Sequence, residues 1–141
     1  MINIVCPHCL QINSVPQKET YNKANCGNCK KSLLDTKPQN VTNIAFSRHT
    51  QSDDIPVIID FWAQWCGPCI QMAPAFEAVA EKLPLKARFL KVDTDNSGDL
   101  GQQYRIQSIP TIIAFKGGKE VDRVSGALPE AQLLSWVEKF I

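Results

Sequence analysis

The sequence predicts an α/β fold with a mixed central sheet flanked by helices, preceded by a small metal-binding module. Three observations carry this expectation. Short, nearly continuous apolar runs alternate with stretches of helical periodicity over residues 57–141. A Gly117-Gly118 turn follows the last of those runs and sends the chain back antiparallel before a final amphipathic segment. Residues 1–35, by contrast, are polar and hold four of the six cysteines. Alternating strands and helices favour parallel pairing, and a closing hairpin adds antiparallel strands to the same sheet.

In chain order, residues 1–35 contain only scattered apolar side chains: Ile4, Val5, Leu10, Ile12, Val15, Leu33 and Leu34. Such a segment cannot offset its chain entropy by burial alone, so it needs a cross-link or a metal. Thr36-Lys37-Pro38-Gln39-Asn40 reads as a linker (36–40), and the main domain is expected over 41–141. Val57-Ile58-Ile59-Asp60-Phe61 has the near-continuous apolar character of a strand buried on both faces. Residues 67–83 place Met72, Phe76, Val79, Ala80 and Leu83 at helical spacing, with Pro74 expected to kink the helix. Ala87 to Val92 is a second strand, residues 97–105 a weaker helix, and Thr111 to Phe115 a third strand. Gly117-Gly118 then turns the chain into Glu120–Ser125, running antiparallel. Pro129 near a helix start, with Leu133, Leu134, Val137 and Phe140 on one face, gives the last helix.

Composition narrows the function classes. Hydrophobic residues make up 44% and charged residues 21% of the 141, which are globular values. A formal charge of +1 predicts no general affinity for nucleic acid or for an anionic membrane. No apolar run approaches the roughly 20 residues that span a bilayer, and Met1 to Val5 leads into Cys6 without a secretory pattern. A cytoplasmic, monomeric protein is the expectation. The six cysteines fall as three Cys-x-x-Cys pairs: Cys6/Cys9, Cys26/Cys29 and Cys66/Cys69. Residues 55–141 hold enough apolar material to fold unstapled and carry only one pair, so a secreted disulfide scaffold fits poorly. In a reducing compartment this spacing points to metal binding or redox catalysis.

Trp65-Cys66-Gly67-Pro68-Cys69 follows a buried strand and opens a helix. The first-turn amides there are unpaired and the helix dipole end is positive, so a thiolate on Cys66 is stabilised. Cys69 lies one turn further in, within reach of Cys66 and more buried. The expected chemistry is attack by Cys66 on a disulfide, a mixed disulfide, and resolution by Cys69. A third metal knuckle is disfavoured, because no unassigned pair remains to complete four ligands. Asp60, an acid within an apolar strand six residues before Cys66, would sit under the helix start. A buried carboxyl of raised pKa there can exchange the Cys69 proton.

The stretch Asp60-Phe61-Trp62-Ala63-Gln64-Trp65-Cys66-Gly67-Pro68-Cys69 resembles the active-site segment of thioredoxins nearly residue for residue. The similarity continues through Pro74, Ile109-Pro110-Thr111, Phe115-Lys116-Gly117-Gly118 and Gly126-Ala127, covering residues 41–141. The resemblance implies a thioredoxin-like sheet and makes Pro110 a cis-proline facing the redox pair. It has Ile109 offering backbone hydrogen bonds to an extended substrate, and Trp65, Gly67, Pro68 and Gly126 bordering the groove. It also implies reduction of disulfide-containing proteins, no bound organic cofactor, and recharging by a thioredoxin reductase using NADPH. Two departures are expected: Phe89 where many thioredoxins carry a lysine facing the buried acid, and Ser125 at a usually apolar groove position.

Cys6-Pro7-His8-Cys9 and Cys26-Gly27-Asn28-Cys29 are separated by 16 residues, within the spacing of four-cysteine zinc sites. Four thiolates on two tight loops suit a closed, structural Zn2+ site; paired disulfides or an iron centre are the alternatives. His8 reads as a loop residue and His49 as a surface residue. Lys18, Lys23, Lys30, Lys31 and Lys37 against Glu19 and Asp35 leave the module at about +3, with Tyr21 as its one aromatic residue for stacking on a base. A zinc-ribbon-like module ahead of such a domain resembles the second, zinc-containing thioredoxins of bacteria, a similarity that covers the whole chain. The expected function is thus a protein-disulfide reductase with a module that responds to oxidants. The alternative is a zinc-regulated chaperone or a partner-binding subunit using the thioredoxin face.

Overall fold

The computed structural model describes all 141 residues. The N-terminal module opens on a two-stranded antiparallel pair, β1 (Ile2–Val5) and β2 (Ile12–Val15), in register from Ile2↔Val15 to Val5↔Ile12. The sheet of the main body is built from β3 (Gln39–Asn40), β4 (Val57–Trp62), β5 (Arg88–Asp93), β6 (Thr111–Lys116) and β7 (Lys119–Ser125). Its spatial order is β3-β5-β4-β6-β7. The pairs β3/β5 and β4/β5 are parallel, whereas β4/β6 and β6/β7 are antiparallel. Gln39 and Asn40, at the end of the linker stretch, therefore lie on the sheet edge. Four helices flank the sheet: α1 (Asn43–Ser52), α2 (Gly67–Lys82), α3 (Gly98–Gln103) and α4 (Glu130–Glu138).

Burial on both faces explains why β4 is apolar except at Asp60. Val57, Ile59 and Phe61 face one side, packing with Phe46 of α1, Leu100 of α3 and Phe115. Ile58 faces the other, with Met72, Phe76 and Val79 of α2 and Leu133 and Val137 of α4. Asp60 shares that second face. Pro74 lies inside α2, which runs through it. The hydrophobic pattern does not announce α1, because only Phe46, His49 and Thr50 of its ten residues are buried.

The module does not stand apart from this body. Ile4, Cys6, Val15, Cys26 and Leu33 form a small core that takes in Ile55, ahead of β4, and Leu85, ahead of β5. The scattered apolar residues of the first 35 thus become a core only by borrowing these two. Docking here places the module at the end of the sheet where β4 and β5 begin.

Candidate active site and four-cysteine site

At the other end of β4, the loop after Trp62 delivers Cys66 as the N-cap of α2. Gly67 and Pro68 open the helix, where a proline's missing N–H leaves no bond broken. Cys66 is extended at φ −86° and ψ 109°, and its Sγ accepts the Cys69 amide at 3.2 Å. That N–H and the positive end of α2 both favour a thiolate on Cys66 in the dithiol form. Cys66 and Cys69 are joined as a disulfide, with Cα atoms 5.3 Å apart. Both are nearly covered, at 4% and 2% exposure, so their difference in burial is slight and attack is confined to a narrow approach.

The walls of that approach come from three loops. Trp65 is 71% exposed, and its indole Nε1 donates to Asp95 Oδ2 at 3.0 Å. The Ile109–Pro110 peptide is cis, and the Ile109 carbonyl oxygen lies 3.7 Å from Cys66 Sγ. The Pro110 carbonyl accepts the Gly126 amide at 2.8 Å. Gly126 has φ +96°, a conformation that a side chain would strain. Ser125, beside it, places its hydroxyl 3.2 Å from that of Thr111.

Asp60 is fully buried, and neither of its carboxyl oxygens has a hydrogen-bond partner. Burial pushes its pKa up from 3.8 to about 7, while the positive charge of Lys91 pulls the other way. Lys91 is the β5 residue directly opposite Asp60, and its Nζ sits 4.2 Å from the Trp62 ring centroid. The expectation that Phe89 stands where a lysine would face the acid is therefore corrected. Phe89 lies opposite Ile58 and packs edge-on against Phe76 at 5.3 Å, two residues short of the acid's level.

The four N-terminal cysteines sit on two matching knuckles. In each, the amide of the first cysteine donates to the carbonyl five residues on: Cys6 to Gln11 and Cys26 to Lys31, both at 2.8 Å. Leu10 and Lys30 turn back to the carbonyls of Cys6 and Cys26, each at φ 68°. The fit to a metal can be tested on the sulfurs. Around a tetrahedral ion at ~2.3 Å, sulfurs stand about 3.8 Å apart. Here Cys6 and Cys29 are 3.7 Å apart, Cys9 and Cys26 3.6 Å, and all four ligand atoms lie within 4.8 Å of one another. N–H groups of His8 and Asn28 point at Cys6 and Cys26, and the Asn13 and Asn28 amides reach Cys26 and Cys9. Backbone hydrogen bonds hold Cys26 down to about 6 and lower Cys9, while burial pushes Cys6 up to about 12. The four cysteines are close enough to hold a metal ion, and the donor set fits one. His8 instead pairs with Asp35 at 3.3 Å.

The thioredoxin family profile matches residues 37–139. The chain belongs to the thioredoxin family. Thioredoxin C-3 of Corynebacterium nephridii is 39% identical over 136 residues, which cover 96% of this chain and 93% of that protein. Such a span reaches into the four-cysteine segment. Thioredoxin 1 of Nostoc sp. is 43% identical over 101 residues, covering 72% of this chain and 94% of that protein. Among solved structures, the thioredoxin of Malassezia sympodialis superposes with a TM-score of 0.69 at 33% identity, covering 76% of this chain and 93% of that one. A mutant thioredoxin of Halobacterium salinarum gives 0.69 at 30%, covering 76% and 92%. The chain is accordingly a thioredoxin-type disulfide oxidoreductase.

Within this thioredoxin fold, the structure gathers Cys66, Cys69, Trp65, Gly67, Pro68, Ile109, Pro110 and Gly126 at one end of the sheet. Cys6, Cys9, Cys26 and Cys29 gather at the other. His49, expected at the surface, is buried, with 1% exposed. It belongs to a cluster that sequence reasoning missed. Val5, the residue before Cys6, donates its N–H to Asp53 Oδ1 at 2.7 Å, and its carbonyl accepts from Arg88 Nη2 at 3.1 Å. His49 Nδ1 meets Asp53 Oδ2 at 2.7 Å, with Arg88 Nε 3.7 Å away. One signal was present: an acid at Asp53 four residues after His49, beside the apolar start of β4.

Proposed function

We propose that this thioredoxin reduces disulfides of cytoplasmic proteins and is recharged by an NADPH-dependent thioredoxin reductase. The observation that carries the reading is the Cys66 sulfur, capping α2 and bonded by the Cys69 amide, beside the cis Ile109–Pro110 peptide. In the dithiol form, the Cys66 thiolate attacks one substrate sulfur, and the other leaves as a thiolate that takes up a proton. Cys69 gives its proton to the Asp60 carboxylate and attacks Cys66 Sγ, and the second substrate sulfur leaves as a thiolate that takes up a proton in turn. Two electrons have then passed to the substrate, and Cys66–Cys69 is a disulfide again. A carboxyl at about 7 is divided between both forms near neutrality, which suits a group that must take and return a proton.

The substrate enters as an extended segment against the Ile109 backbone, with Trp65, Gly67, Pro68, Pro110 and Gly126 bordering it. The protein acts as a monomer, without nucleic acid or membrane partners; no helix is long and apolar enough to cross a membrane. Cys6, Cys9, Cys26 and Cys29 would hold structural zinc, which when bound neutralises the thiolates and cross-links the two knuckles. The module is also the oxidant-responsive part, since its thiolates can form disulfides and release the metal. That response does not act by covering the redox groove, because the module docks at the opposite end of β4.

The test is reductase-coupled turnover of a disulfide-bonded protein by the zinc-loaded chain, before and after peroxide. NADPH consumption that depends on Cys66 is the expected result. Stoichiometric capture of a partner without turnover would favour a binding subunit instead.

A further inference from the structure

Arg105 lies one residue past the C-cap of α3, in the left-handed region at φ +53°. The bonds around it are those of a Schellman ending: Ile106 N–H to the Gly101 carbonyl at 2.9 Å, and Arg105 N–H to that of Gln102 at 3.1 Å. Glycine ordinarily fills this position, because a Cβ is strained there. The arginine side chain gains nothing inside the molecule to offset that strain. Of the chain's four arginines, Arg48 bonds the Leu10 carbonyl, Arg88 that of Val5, and Arg123 pairs with Glu120. Arg105 alone has no partner, and it is exposed.

Its surroundings say what the partner is. Arg105 lines a groove of about 410 Å³ with Trp65, Thr94, Gln102, Gln107 and Ile109, and no other lining residue is charged. The groove runs to the redox pair, since Trp65 precedes Cys66 and the Ile109 carbonyl lies 3.7 Å from its Sγ. The nearby acid, Asp95, is engaged by the Trp65 indole. The Schellman ending accounts for the left-handed backbone, so what the fold leaves unexplained is an arginine where glycine would serve. A free guanidinium takes a carboxylate in two parallel hydrogen bonds.

We infer that Arg105 is a specificity-determining residue, selecting disulfide-bonded protein segments that carry an Asp or Glu side chain near the disulfide. This rests on the disulfide reduction proposed above. Basic segments are disfavoured at the same place by repulsion.

The experiment compares two disulfide-bonded peptides, identical except for Glu or Lys beside the cysteine. Each variant is scored by its ratio of kcat/KM for the two. The wild-type chain should favour the acidic peptide by roughly 3- to 10-fold at low salt, and the ratio should shrink as salt rises. Arg105→Ala and Arg105→Gly should bring the ratio near unity, Arg105→Lys should keep most of it, and Arg105→Glu should invert it. Arg105→Gly alone should also raise Tm, by roughly 2–5 °C, because it relieves the left-handed strain. A preference that survives Arg105→Ala overturns the inference. Failure of the wild-type chain to reduce either peptide overturns the reductase reading itself, and the inference with it.

Discussion

Burying a carboxyl with no hydrogen-bond partner penalises its ionised form, and at Asp60 one lysine, Lys91, opposes that penalty. Its folded pKa of about 7 lies above the ordinary 3.8. The neutral form is thus favoured in the folded chain: the associated stability is full below about pH 4 and is lost as pH rises through 7. The displacement corresponds to about 4 kcal/mol at pH 8. Asp60→Asn should therefore be more stable than the wild type, with the gain larger at pH 8 than at pH 5, and should turn over more slowly near neutrality. Urea unfolding at both pH values checks the first; parallel behaviour of the two proteins would contradict it. The acid itself was legible, as a charge inside an apolar strand. Its partner was not, because side chains two apart on β5 share a face. Phe89 and Lys91 both satisfy that face, and only the loop lengths that set the β4/β5 register decide between them.

An element announces itself in sequence when its buried residues are numerous and periodic. α2 meets that standard through Met72, Phe76, Val79 and Ala80, and so do β4 and β6. α1 does not: it buries one aromatic residue, a histidine and a threonine. Beside Phe46 in the core, what holds it is polar: the His49–Asp53–Arg88 cluster and its two bonds to Val5. Pairing of residues from α1, β5 and β1 has no local trace in the chain. The cluster predicts an outcome at this scale. Asp53→Asn leaves the Arg88 charge buried without its partner, which should cost about 3 kcal/mol. It should also weaken metal retention, because Val5 adjoins Cys6. Thermal melting and chelator competition measure the two, and unchanged metal affinity would separate the cluster from the site.

The molecule as a whole has its two cysteine chemistries at opposite ends of one sheet. Six residues of β4 separate them by about 20 Å. The module's core borrows Ile55 and Leu85, and its first strand sits on Asp53 and Arg88. Metal removal should therefore release residues 1–35 and lower the Tm of the entire chain. The midpoint potential of Cys66–Cys69 should change little. Circular dichroism and redox titration of the chelated protein check both. A potential that moved with metal content would require a path along β4 or α1 that static packing does not provide.

In the proposed cycle Cys66 attacks and Cys69 resolves. Incubating Cys69→Ser and Cys66→Ser variants with disulfide-bonded protein, and identifying trapped adducts by mass spectrometry, separates this order from its reverse. Mixed disulfides should accumulate on Cys66 of the Cys69→Ser chain, with little capture by the other. Adducts that accumulate instead on Cys69 of the Cys66→Ser chain would contradict that order.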